Sequence, residues 1–220
     1  MNIAAYIDHT ILKPTTLVTE VEKLCAEAIQ YKFAAVCIPP SFVKKAKELT
    51  TGSPVKVATV IGFPFGYSAI EAKVAELVLA IIDGAHELDM VINISAIKNK
   101  DWKFLATEIN TILPLVRSKN KVIKIIIETG VLTNEEIIQC CDLYGAAGVD
   151  FLKTSTGYAD KGATVEAVHL MRKHLADQVQ IKASGGIKTL AFAQSLLHAG
   201  AGRLGCSSSV SISKEAKGQN

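Results

Sequence analysis

The chain alternates between short, mainly apolar runs, of which Phe33 to Ile38 has no polar residue at all, and longer segments in which apolar residues recur three and four positions apart. Runs of the first kind are Phe33 to Ile38, Val55 to Ile61, His86 to Asn93 and Val122 to Ile127, with shorter ones at Tyr6 to Leu12, Phe151 to Lys153, Val179 to Lys182 and Gly202 to Cys206. A strand without alternation is buried on both faces, as in a parallel sheet covered by helices. Between the runs, Val21, Leu24, Cys25 and Ala28 fall at i, i+3, i+4 and i+7 and predict a helix with one buried face. Phe42, Val43, Ala46 and Leu49 also space out as a helix, and the i, i+3, i+4, i+7 spacing recurs in Val74, Leu77, Val78 and Ile81. It recurs again from Trp102 to Val116, Ile137 to Cys141, Val165 to Leu175 and Leu190 to Leu197.

Start and stop signals fit these segments. Thr15 and Thr16 offer hydroxyls to open the first helix, and Ser68-Ala69-Ile70-Glu71 and Thr133-Asn134-Glu135-Glu136 read as capping boxes. Gly84 closes one helix, and Gly145 or Gly148 another. The polar tail from Lys214 to Asn220 is expected to fray.

Eight strand-then-helix units imply parallel strands joined by right-handed crossovers, and eight such strands close into a (β/α)₈ TIM barrel. A doubly wound open sheet is the alternative. No G-x-G-x-x-G follows the first run, however, and polar residues sit at the ends of most runs instead of at one switch point. With no linker long or polar enough to mark a boundary, residues 1–220 are expected to form a single domain. The 49% hydrophobic content supplies the core such a barrel needs.

Composition narrows the partners. A formal charge of +3, with lysines and arginines scattered among acids, argues against a nucleic-acid surface and leaves small anions possible. The five cysteines form no C-x-x-C pair and sit in apolar segments, which favours a reducing cytosol and no structural zinc. No basic leader precedes an apolar stretch, and charges interrupt every hydrophobic run, so a cytoplasmic protein with no membrane contact is expected.

In a barrel the strand C-termini build the active site. There the chain places Asp8, Cys37, Asp89, Glu128, Lys153 and Lys182. Lys153 and Lys182 each follow an apolar run and precede small residues, Thr154-Ser155-Thr156-Gly157 and Ala183-Ser184-Gly185-Gly186. One reading makes each lysine a strand cap paired with Asp89 or Glu128. The other makes them a reactive pair. An ordinary lysine, with a pKa of about 10.4, is neutral in roughly one molecule in two thousand at pH 7, and burial beside a second ammonium makes it a nucleophile. Asp89, a carboxylate in the middle of a strand, is either a buried acid satisfied by a lysine or a proton-transfer partner for the pair, and both can hold at once. Asp8 either contacts substrate or ties the first strand to its neighbours. Thr154, Gly157, Gly185, Gly186, Gly205, Ser207 and Ser208 form turns after strands six to eight, where barrels bind phosphate through backbone N–H groups. Cys37 is expected to pack, and the histidines show no metal spacing.

At these residues the chain resembles the deoxyribose-phosphate aldolases, class I aldolases on a TIM barrel. The resemblance rests on Ile7-Asp8-His9-Thr10 with Leu12-Lys13-Pro14, on Val36 to Pro40, Val60 to Gly66, Glu87 to Asn93, Phe151 to Gly157 and Ile181 to Ile187. It implies that Lys153 forms an imine with C1 of open-chain 2-deoxyribose 5-phosphate. Lys182 would lower its pKa and act with Asp89, through water, in proton transfer. Removal of the C3 hydroxyl proton then breaks C2–C3, glyceraldehyde 3-phosphate leaves, and the enamine is protonated and hydrolysed to acetaldehyde. No metal or cofactor is implied, and a homodimer is. The phosphate is implied to sit at Gly157, Gly185-Gly186 and Ser207-Ser208. Tyr158 departs from those members that carry a lysine after the Thr-Gly.

Overall fold

A computed structural model describes residues 2–218. Eight parallel strands run β1 (Ile7–Thr10), β2 (Ala35–Ile38), β3 (Lys56–Ile61), β4 (Glu87–Val91), β5 (Val122–Ile126), β6 (Phe151–Lys153), β7 (Gln180–Ser184) and β8 (Arg203–Cys206). They pair in sequence order and close between β1 and β8, where Asp8 lies opposite Gly205. The barrel is the expected one.

Helices α1 (Val18–Tyr31), α2 (Val43–Leu49), α3 (Ile70–Ile82), α4 (Ile94–Lys98), α5 (Trp102–Ser118), α6 (Asn134–Ala147), α7 (Val165–His174), α8 (Leu190–His198) and α9 (Ser209–Gly218) surround it. Each presents its apolar face to the outward-pointing residues of the strands, and together they form one continuous core. Val21, Leu24, Cys25 and Ala28 of α1 are all buried, as their spacing predicts.

Three local expectations fail, each for a physical reason. α3 starts at Ile70 with Ala69 as its cap and no side-chain hydrogen bond there, so Ser68 lies one position too early to close a box with Glu71. That helix is also turned: Lys73, Leu77 and Ala80 face inward, while Val78 and Ile82 are exposed. The rotation is possible because the buried Lys73 ammonium donates to the Val91 carbonyl at 2.7 Å and pairs with Glu108. α1 is opened not by Thr15 or Thr16 but by Glu20, whose carboxylate accepts the Leu17 N–H at 2.8 Å. The Thr133–Glu136 box does form, and α6 ends at Gly148, which takes the left-handed conformation.

The tail is likewise more ordered than its polarity suggests. Residues 209–218 form α9, which buries Ile212 and anchors its Glu215 on the Leu190 N–H at 3.0 Å. Gln219 and Asn220 lie outside the described residues.

Inside the barrel, alternation divides the wall into two sectors. From β2 and β3 come Ala35, Cys37, Ala58 and Val60, a small apolar cluster capped by Leu12 and Phe63. From the other six strands come charged side chains.

Candidate active site

The register explains how the lysines meet. Lys153 lies directly opposite Lys182 across β6 and β7, and in a parallel pair opposed residues project to the same face. Asp89 is likewise opposite Lys124 across β4 and β5. All four point into the barrel, where their ammonium and carboxylate groups converge.

Asp89 is the hub. Its Oδ2 accepts from Lys153 Nζ at 2.8 Å and Lys182 Nζ at 2.7 Å, and its Oδ1 from Lys124 Nζ at 2.8 Å. Lys182 also donates to Asp8, whose other oxygen takes Arg203 Nη1 at 2.7 Å. Glu87 completes the ring between Arg203, at 3.2 Å, and Lys124. Below, the Phe151 ring faces Lys124 and Arg203, 5.9 and 5.5 Å from its centroid.

The network divides the three lysines by protonation. Burial alone would raise Asp89, but Lys124, Lys153 and Lys182 outweigh it and hold the carboxyl well below its usual range. Asp8 is lowered in the same way by Lys182, Lys124 and Arg203 against its burial. Burial would lower Lys182, yet Asp8 and Asp89 push it above the lysine range, and Asp89 and Glu87 do the same for Lys124. Lys153 goes the other way. Burial, with the Lys182 ammonium behind it, presses it below the ordinary lysine range against the pull of Asp89. With Lys153 neutral, three carboxylates (Asp8, Glu87, Asp89) face three cations (Lys124, Lys182, Arg203), and the interior carries no net charge.

Lys153 is also where this interior opens outward. It lies at the floor of a cavity of about 570 Å³ whose wall includes Gly157, Gly185, Gly186, Gly205 and Ser207. The remaining expected site residues stand elsewhere. Asp8, Asp89 and Lys182 are fully buried and do not line it. Asp8 has both oxygens occupied, by Lys182 and Arg203. Thr154 is buried too, its hydroxyl accepting the Ser184 N–H at 3.1 Å and so joining the turns after β6 and β7. Ser208 begins the first turn of α9, where its carbonyl accepts the Ile212 N–H at 3.1 Å. Gly205 lines the cavity but also makes space: a Cβ there would lie 3.1 Å from Lys182 Cε. Gly185 has φ +89°, and a Cβ on it would meet Gly162 Cα at 2.9 Å, so the turn closes only on glycine.

Glu128, noted at its strand end but given no role, holds the turn above Lys153. It adopts the left-handed conformation, φ 58°, and its carboxylate accepts the Thr156 hydroxyl and the Thr156 N–H, the latter at 3.2 Å. Burial raises its pKa. Tyr158, at the point of departure from the lysine-bearing pattern, donates its hydroxyl to the Leu12 carbonyl at 2.8 Å and sets its ring edge-on to Phe63. Cations at the rim come instead from Lys13, Lys23 and Lys188. Tyr158, Leu12 and Lys13 also wall off a second, more apolar cavity of about 620 Å³ that holds none of the charged cluster.

The sequence reading missed Lys124, Glu87 and Arg203 as members of the cluster. The signal for Lys124 was present, since it is the single charge inside an otherwise apolar strand. Cys37 is fully buried and burial raises its thiol pKa, so it packs as expected; all five cysteines are free and buried. Among the described residues no group of three His, Cys, Asp or Glu is arranged to hold a metal, and no helix is long and apolar enough to cross a membrane.

The chain matches known proteins along nearly its whole length. The family model described as DeoC/LacD family aldolase matches residues 2–212. A deoxyribose-phosphate aldolase of Thermoanaerobacter sp. strain X514 is 49% identical over 216 residues, 98% of this chain and 97% of the relative. One of Thermococcus gammatolerans is 49% identical over 219 residues, 99% and 97% of the two chains. Among solved structures, the tetrameric deoxyribose phosphate aldolase of Aeropyrum pernix superimposes with a TM-score of 0.92 at 31% identity, covering 99% of this chain and 92% of the other.

Proposed function

We propose, on the premise that this chain belongs to the DeoC/LacD family of aldolases, that it cleaves 2-deoxyribose 5-phosphate to glyceraldehyde 3-phosphate and acetaldehyde with Lys153 as the imine-forming amine. The observation that carries the reading is the division among three buried lysines. Only Lys153 is both lowered in pKa and open to the cavity, while Lys124 and Lys182 are held as ammonium ions inside.

Neutral Lys153 Nζ attacks C1 of the open-chain aldehyde, and loss of water leaves a protonated imine. Its positive charge develops 2.8 Å from Asp89 Oδ2, in a dry site where that attraction is strong. The C3 hydroxyl proton passes through water to the Lys182–Asp89 pair as C2–C3 breaks. The bonding pair flows into the iminium, the phosphorylated aldehyde leaves, the same proton returns to C2 of the enamine, and water hydrolyses the resulting imine to acetaldehyde and free Lys153.

Asp89 is a poor base by itself, because the lysines around it, with Lys124 and Lys182 held as ammonium ions, favour its ionised form. Its part is to link Lys153 and Lys182 through one oxygen, so that a proton lost at one amine is exchanged with the other. The substrate phosphate sits at the opposite end of the cavity, on the N–H groups of Gly157, Gly185, Gly186 and Ser207, with Lys188 and Lys13 near. No residue in this scheme calls for a metal or an organic cofactor. The buried free thiols fit a reducing cytoplasm.

The imine is tested by incubating the protein with deoxyribose 5-phosphate or acetaldehyde, reducing with borohydride and mapping the adduct by mass. A two-carbon adduct on Lys153 is expected, and none in Lys153→Ala. An adduct on Lys182, or one that survives Lys153→Ala, overturns the assignment.

The family resemblance also carries the reading that the chain works as a homodimer. Sedimentation velocity at micromolar concentration should give about twice the 23.5 kDa chain mass. A monomer, or the tetramer described for the Aeropyrum pernix relative, would reject that reading.

A further inference from the structure

His9 belongs to β1 but faces away from the barrel interior, since its neighbour Asp8 points inward. It is 4% exposed and packs between α1 and the start of α9, with its ring 5.2 Å from that of Phe33. Two polar atoms meet it. Nε2 lies 2.9 Å from Glu27 Oε2, and Nδ1 lies 3.0 Å from Ser209 Oγ.

The donors must balance. Ser209 has one hydroxyl proton, and its Oγ also lies 2.8 Å from the Cys206 carbonyl, which only accepts. With that proton given to Cys206, Ser209 Oγ is an acceptor toward His9, and Nδ1 carries a hydrogen. The Glu27 carboxylate only accepts, so Nε2 carries one as well. His9 thereby bridges Glu27 on α1 and Ser209 at the start of α9. The other charged groups on this side are Lys23, 3.8 Å from the second Glu27 oxygen, and Glu20, both on α1 and both on the cavity wall with His9.

Ser209 is the first residue of α9, directly after Ser207-Ser208. We propose that His9 is a positioning residue for the phosphate subsite: as a double donor fixed by Glu27, it holds Ser209 and so sets the Ser207-Ser208 turn where the dianion docks. The inference rests on reading that turn as the phosphate subsite.

The test compares 2-deoxyribose 5-phosphate with unphosphorylated 2-deoxyribose. His9→Asn should raise KM for the phosphorylated substrate about tenfold, the loss of one charge-assisted hydrogen bond, with kcat changed less than about twofold. Its kcat/KM for the unphosphorylated sugar should stay at the wild-type value. Ser209→Ala, which keeps the ring, should show the same split. Equal losses on both sugars would reduce His9 to a structural prop and overturn the proposal, as would an unchanged KM. On the unsubstituted protein, 15N NMR at neutral pH should show both His9 ring nitrogens protonated; one unprotonated nitrogen overturns the double-donor assignment. Ser208→Asp separates the two readings. If a carboxylate in the turn leaves the phosphorylated substrate unaffected, the subsite itself is misassigned, and the His9 proposal falls with it.

Discussion

Replacing Lys182 with leucine should lower kcat/KM for deoxyribose 5-phosphate at neutral pH by about 10²- to 10⁴-fold, the range for loss of a positioned proton-transfer group, and move the acid limb of the pH profile upward. The sign follows from the charges around Lys153. Burial lowers its pKa and Lys182 lowers it further, while Asp89 raises it. Without the Lys182 ammonium the nucleophile regains affinity for its proton, so a higher pH is needed to free the amine. The fold should persist, because Asp8 keeps Arg203 and Asp89 keeps Lys124 and Lys153. The measurement is kcat/KM across pH, with circular dichroism as the control for folding. Near-normal turnover with an unmoved limb would show that Lys182 does not tune Lys153.

Asp89→Asn should move that limb the opposite way. Asp89 is what pulls the Lys153 pKa up, so its neutralisation leaves Lys153 more readily deprotonated and shifts the limb to lower pH. Activity should nonetheless collapse, since the iminium loses the carboxylate 2.8 Å away. Stability suffers as well. Breaking a buried ion network from one side costs about 3–5 kcal/mol, because the opposing ammonium groups, left to Asp8 and Glu87, remain buried with one carboxylate too few. For a domain of this size that lowers Tm by roughly 6–20 °C. Opposed limb shifts in the two variants would be hard to explain by general damage to the site; shifts of the same sign would refute the electrostatic account of Lys153.

Much of this was legible in the residues. Lys153, Lys182 and Asp89 stand out because each is a charge in an apolar strand, and burial of an ionisable group signals either a partner or a reaction. The barrel followed from counting strand-then-helix units. What escaped depends on distance across the barrel. That Asp8 ties the first strand to its neighbours was one of its two readings, but its partners, Lys182 and Arg203, lie near the other end of the chain and could not be named. Arg203 lies within the eighth run, and nothing local reveals that Phe151 and Glu87 receive it. The turned face of α3 was hidden for the same reason, since a lysine in an amphipathic pattern is assigned to solvent unless its acid on another helix is known.

The interior charges also have an order along the chain. Every acid of the cluster comes from the first four strands, Asp8 on β1 and Glu87 and Asp89 on β4, and every base from the last four, Lys124, Lys153, Lys182 and Arg203 on β5 through β8. A half-barrel emerging first during synthesis would have to bury three carboxylates with no cation to meet them, and its counterpart would bury only cations. Neither half can dry its interior alone. The electrostatics that prepare a nucleophile therefore also make the two halves wait for each other, so that folding of the barrel and assembly of its chemistry become one cooperative event.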